Sequence, residues 1–317
     1  MDKTRRDFIK GTLASGTFLA LGIPGFTQAS SSVGALSDDT RKCRLLLGDT
    51  PAAGSFVKGA QSAYFSCGGS HHGALPVFQL ESGRSTGFLH LTDLLMQSRN
   101  SRWLAVMDHA DAAIFTESLR NSAAHLLASG SHIFAAGDHA ALPLRHVWTA
   151  ASPAYSAGGL LASMLAREQY NFSIVERFLT QTAEESTRNS APSLPGFLSY
   201  HLTDQLATRL YCAGVSLPEA GRLLGWETSR NQNPLFSQTL ASATASRNKT
   251  VDSTTIEYPQ FGNWAEATGY AIAAAALGVG VSQESCSEHA FVHQSDRDHS
   301  DHRELPGVGF TSFVIDV

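Results

Sequence analysis

Apolar positions in this chain fall into short runs separated by Gly, Asp and Ser. Residues 43–47 form one such run, closed by Gly48-Asp49, and predict a first strand. Residues 52–65 then predict a helix, which the glycine-rich stretch 67–73 breaks. A second strand is expected at 75–80, a second helix at 87–97 and a third strand at 103–107, closed by Asp108. A long helix is expected over 112–128, with His125 among its leucine neighbours as amphipathic packing. Short strands at 132–135 and 146–149 and a helix at 155–167 complete this half. The second half reads as more helical, with a hairpin of helices at 197–213 and 216–224 around Gly214. Ser216 suits the cap of the second of these, and Pro218 its first turn. Residues 229–253 are polar and read as loop, 264–277 as a helix of small residues, and 309–315 as a final apolar strand.

The pattern predicts an α/β fold: a mainly parallel sheet covered by helices in the amino-terminal half, a more helical carboxyl-terminal half, and a last strand returning to the sheet. A weak repeat runs through the first half. Leu45-Leu46-Leu47-Gly48-Asp49 and Leu104-Ala105-Val106-Met107-Asp108 both end in aspartate, with Ala53 and Ala112, then Phe56 and Phe115, at matching distances. The offset of 59 between positions 49 and 108 suits two strand–helix units of one sheet, by duplication or by coincidence.

The first 29 residues stand apart. Thr4-Arg5-Arg6-Asp7-Phe8-Ile9-Lys10 is followed by a moderately apolar, glycine-diluted stretch over 11–26, by Pro24 near its end, and by Thr27-Gln28-Ala29. With Arg5, Arg6, Phe8 and Lys10 in place, this segment resembles a twin-arginine export signal. The resemblance implies that the chain folds before transport by the twin-arginine translocase, is cleaved near Ala29 and works in the periplasm. Residues 30–41 read as a serine-rich linker and 42–317 as one α/β domain, with a subdivision considered near 180–195. The apolar stretch 11–26 is too short for a permanent membrane anchor.

Composition narrows the partners. The net charge is −5, and loss of residues 1–29, with four basic and two acidic side chains, would take it to −7. A mildly acidic surface argues against nucleic acid and anionic membrane. Cys43, Cys67, Cys212 and Cys286 allow three disulfide pairings between which sequence does not choose. None forms CxxC or CxxCH, so the motifs for c-type haem and clustered iron–sulfur centres are absent. A transition metal (Zn, Cu, Ni or Fe) would therefore need mainly His and carboxylate ligands.

Three places offer such chemistry. Cys286, His289, His293, His299 and His302 lie among acidic residues, with His spacings of four and three that share a face if helical. The alternative there is a polar surface loop. Cys67-Gly68-Gly69-Ser70-His71-His72-Gly73 is the second, able to hold copper or to pair a thiol with a base; the alternative is a disulfide at Cys67 and solvated histidines. Asp49, Asp108 and His109 follow predicted strands, where α/β sites gather, with Asp111, Asp138, His139, Arg145 and His146 near in sequence. Strand-end aspartates also cap helices.

Motifs for nucleotide binding, zincins and lipase-type nucleophiles are missing. The first functional expectation is an accessory, non-catalytic subunit associated with a periplasmic redox or metalloenzyme system. The alternative is a His-ligated, metal-dependent hydrolase or oxidoreductase, and the third reading is a small-ligand-binding protein.

Overall fold

The computed structural model describes residues 42–67, 73–80, 93–95, 97–120, 122–135, 143–168, 170–179, 197–202, 208–213, 236–237, 259–278, 305 and 307–317. Its strands are β1 (Lys42–Leu47), β2 (Val77–Gln79), β3 (Ser101–Met107), β4 (His125–Phe134), β5 (Leu144–Ala150), β6 (Phe172–Phe178), β7 (Phe197–Leu202), β8 (Thr208–Ala213), β9 (Phe236–Ser237) and β10 (Gly309–Asp316). The helices are α1 (Ala53–Cys67), α2 (His109–Arg120), α3 (Gly158–Arg167) and α4 (Trp264–Ala276). The strands form a single sheet in the order β2-β1-β3-β10-β4-β5-β6-β8-β7-β9.

The sheet is mixed rather than mainly parallel. β1 pairs in parallel with β2 and β3, and β5 with β6; the other pairings are antiparallel. Connection length explains much of this. The links over 135–143 and 203–207 are too short for a parallel crossover, which needs a dozen or more residues, so β4–β5 and β7–β8 turn back on themselves. β10 returns to the sheet as expected. It enters at the centre, antiparallel to both β3 and β4.

Two predicted helices are corrected. The stretch 112–128 splits: α2 stops at Arg120 and β4 begins at His125, so His125 is an exposed strand residue. Ser122 makes the break, its amide and hydroxyl bonding to Leu119 O at 3.0 and 2.8 Å, while its oxygen accepts from Ala124 N. Within the predicted helix 197–213, residues 197–202 and 208–213 form strands β7 and β8. The second helix of that hairpin, at 216–224, lies outside the described residues.

Handedness decides which face each crossover helix covers. Strand–helix–strand crossovers share one hand. β1–α1–β2 and β5–α3–β6 are related by reversing both strand direction and lateral step, so α1 and α3 belong on one face. β3–α2–β4 steps the opposite way from β1–α1–β2 with the same strand direction, so α2 belongs on the other. The cores agree. On the inner face, Phe56 of α1, Leu161 and Leu165 of α3 and the alanines of α4 pack with Leu45, Val106, Trp148 and Phe310. On the outer face, Phe115 and Leu119 of α2 pack with Leu46, Trp103, Met107 and Phe313.

α4 is buried along its whole length, as its all-round small and apolar character requires. It crosses α1 with backbone almost touching backbone. A Cβ on Gly59 would lie 1.8 Å from Glu266 O, and one on Gly269 would lie 2.2 Å from Phe56 O, so only glycine fits either place. Asn263 caps α4 by accepting from Glu266 N at 3.0 Å and donates to Ser55 at 2.8 Å; Lys58 of α1 pairs with Glu266. At the far end Arg102 of β3 grips Asp316 of β10 through two parallel bonds of 2.6 and 2.7 Å and donates to Ala276 O at 2.6 Å. No described helix is long and apolar enough to cross a membrane.

Candidate functional site

The crossover from β1 leads toward β2, and that from β3 leads the other way, so the β1/β3 boundary is a point where the winding reverses. Ligand crevices of open α/β sheets form beyond the carboxyl ends of strands at such a point. Asp49 and Asp108 flank it. Asp108 Oδ1 accepts from Asp111 N at 2.7 Å and so caps α2. Burial raises the pKa of Asp111, and the carboxylates of Asp108 and Asp49 raise it further.

His109 lies along β10. Its Nδ1 is 2.8 Å from Thr311 Oγ1, and its Nε2 is buried with no hydrogen-bond partner. A Cβ on Gly309 would come within 2.8 Å of Nε2, so the glycine makes the ring's seat. Burial lowers the pKa of His109, with the charge of Asp108 opposing, and this favours neutral imidazole. Four sequence-predicted residues (Asp49, Asp108, His109 and Asp111) therefore gather at one edge. Among the described residues, no group of three or more His, Cys, Asp or Glu is placed to hold a metal ion.

His146 does not join them. It projects from β5 onto the inner face, directly opposite His132 of β4. Their Nδ1 atoms are 2.8 Å apart, and His132 Nε2 is 2.7 Å from Ser312 Oγ of β10. Phe310 lies against His132 and stacks on Trp264 of α4, closing the group from above. Burial pushes the pKa of His146 down to about 3 and that of His132 well below its ordinary value, the second also through its neighbours His146 and His109. Both shifts favour neutral imidazole, and the short Nδ1–Nδ1 contact then calls for one proton between the two rings. His146 Nε2 is left without a partner.

A buried carboxylate lies further along the inner face. Glu176 of β6 accepts from Gly158 N at 2.9 Å, at the amino end of α3, from Tyr211 of β8 at 3.1 Å and from Ser156. The positive end of the helix dipole suits a carboxylate there, and the set ties α3 to β6 and β8.

Cys67 ends α1, its sulfur 3.8 Å from the Tyr270 hydroxyl. Cys43 and Cys212 are buried free thiols whose pKa burial raises to about 11. Five strands separate β1 from β8, about 29 Å at the usual spacing, so these two cannot form a disulfide. His71, His72, Asp138, His139, Cys286, His289, His293, His299 and His302 lie outside the described residues, as do Arg5, Arg6, Phe8 and Lys10. His132, Ser312 and Thr311 escaped the sequence reading. A histidine or hydroxyl inside an apolar alternation carries no mark of its cross-strand neighbour.

The chain matches no family model, no curated protein and no solved structure.

Proposed function

We propose that this chain is carried folded to the periplasm by the twin-arginine translocase and serves there as an accessory, non-catalytic subunit of a redox or metalloenzyme system. The uneven coverage of the sheet supports this reading. On the inner face α1, α3 and α4 share one core, whereas the described helical residues of the outer core are those of α2 and of the short stretch 93–95, packed with side chains of β1, β3 and β10. Outward side chains of β4 and β5 (Ser129, Ser131, Ile133, Val147 and Thr149) stay partly exposed, Val147 at 38%. A flat strip of hydroxyl and β-branched side chains suits docking to a partner protein.

Two comparisons test the proposal. Replacing Arg5 and Arg6 with Lys should keep the full-length chain in the cytoplasm, and unchanged fractionation would overturn the export step. In periplasmic extract the native chain should elute as a complex with a redox or metalloenzyme, and Val147→Lys should release it as a single chain. Single-chain elution of both would sink the accessory role.

A second reading is a metal-dependent hydrolase or oxidoreductase at the strand edge. What favours it is the shared electrostatic field of Asp49, Asp108 and Asp111 beside the neutral ring of His109. Stoichiometric metal in protein purified from the periplasm, lost on Asp108→Asn, would move this reading ahead of the first.

A further inference from the structure

The outer face of the sheet changes from open to covered between β5 and β6. Val147 on β5 is 38% exposed, while Ser173 on β6 and Cys212 on β8 are completely buried. Along the edge where α2 begins, one row of register partners crosses this step. Gly309 of β10 faces Ile133 of β4, Ile133 faces Arg145 of β5, Arg145 faces Ser173, and Ser173 faces Cys212. Strand alternation puts all five on the outer face, since Phe134, Leu144, Phe172 and Ala213 belong to the inner core.

Three polar groups on or over this row are buried without a hydrogen-bond partner: Arg145 Nε, Ser173 Oγ and, above Gly309, His109 Nε2. Native proteins satisfy nearly all buried polar atoms, so the two that are register neighbours, Arg145 Nε and Ser173 Oγ, call for a common occupant; His109 Nε2 lies two strands further along the row. Arg145 also joins no ion pair among the described residues, unlike Arg102 with Asp316 and Arg120 with Glu117. The Nε edge of a guanidinium offers two parallel N–H donors, a fork that matches the two oxygens of a carboxylate. The adjacent Ser173 hydroxyl supplies a third donor.

We propose that Arg145 and Ser173 bind the carboxylate of a small organic acid on the outer face of the sheet, at the step between β5 and β6. Charge selects a monoanion. The row provides one cation, and Asp49, Asp108 and Asp111 gather beyond the same edge, which disfavours a dianion such as phosphate. Ile133 is the register partner of Arg145 and Val147 lies two residues along β5 on the same face, so apolar side chains stand next to this position for the body of the acid. The Cys212 thiol at the end of the row stays protonated and does not repel the ligand. This inference needs no protein partner, so it stands or falls independently of the accessory role.

The test is calorimetric titration of the purified full chain with propionate, lactate and benzoate, with chloride and phosphate as controls at matched ionic strength. At least one carboxylate should bind saturably at one per chain and raise the Tm, while the controls do neither. Arg145→Gln should weaken binding by about tenfold or more, the usual effect of losing a charged hydrogen-bond partner. Arg145→Lys should restore only part of the affinity, because an ammonium lacks the fork. Ser173→Ala, the milder change should Arg145→Gln fail to fold, should weaken binding several-fold with an unchanged circular dichroism spectrum. Three results would each overturn the proposal: no saturable binding into the millimolar range, phosphate binding as tightly as the carboxylates, or undiminished binding in Ser173→Ala and Arg145→Lys.

Discussion

His132 and His146 face each other across β4 and β5 with their Nδ1 atoms 2.8 Å apart, so one nitrogen donates and the other accepts. A second proton on the accepting ring would fall on its Nδ1 and break that bond, and one on the donating ring would place a charge on a buried Nε2.

The pair should therefore weaken the fold in acid. Both pKa values are lowered on folding, His146 from 6.5 to about 3, so the unfolded chain binds more protons than the folded one between these values. Stability should be complete above pH 6.5 and fall as pH drops through that window, by up to about 1.4 kcal/mol per pH unit for each ring. Urea unfolding midpoints measured from pH 7 to pH 4 would show the slope. A His132→Leu/His146→Leu double variant should flatten it, and an unchanged slope there would refute the assignment.

Removing one member of the pair should harm more than the chemistry of a lone histidine suggests. His132→Leu leaves His146 Nδ1 and Ser312 Oγ buried without their partner and should cost about 2 kcal/mol or more. Replacing both histidines removes the stranded group as well. The double change should cost less than the sum of the single ones by about 1 kcal/mol or more in a thermodynamic cycle. Simple additivity would argue that the rings do not interact.

Two glycines of α1 should respond oppositely to the same substitution. Gly59→Ala drives a methyl group into the α4 backbone and should destabilise by about 3 kcal/mol. A Cβ on Gly54 meets nothing within 4 Å, so Gly54→Ala should be neutral or stabilising by about 0.5 kcal/mol. Chemical denaturation of the two variants side by side decides the matter. Equal effects would mean that the helices do not cross at Gly59.

Asp316→Asn should unfasten the far end of the sheet. It removes the negative charge and one of the two acceptors that Arg102 uses, leaving a guanidinium largely out of water without its counter-charge, which costs about 3 kcal/mol for a buried pair. The loss should show as a lower Tm, with amide exchange in β10 accelerated first.

The sequence disclosed the elements whose pattern is local. β1 and β3 are continuous apolar runs because both their faces are covered, and α4 is recognisable by its small residues. The repeat proved to be spatial. Leu45 pairs with Leu104, so positions offset by 59 are register neighbours, and Phe56 and Phe115 meet Phe310 and Phe313 of β10 on opposite faces. The errors came where strand pairing overrides local pattern. Residues 197–202, 208–213 and 126–128 carry helix-compatible leucines and aromatics, but a hairpin partner and β6 hold the first two extended, and β10, far along the chain, holds the third. The candidate site was half legible for the same reason. Aspartates after strands announce an edge, whereas the unpaired state of Arg145 and Ser173, 28 positions apart, exists only once β5 and β6 lie side by side.

β10 follows every other strand in sequence and yet lies in the middle of the sheet, between β3 and β4. The ribosome must therefore make nearly the whole domain before its keystone arrives. Until then β3 and β4 each offer an unmatched edge at the centre of the molecule, open to wrong partners and to proteases. Closing the middle of the sheet therefore waits until β10 has been made. An export pathway that accepts only finished proteins would find in the seating of β10 a clear division between chains that are ready to travel and chains that are not.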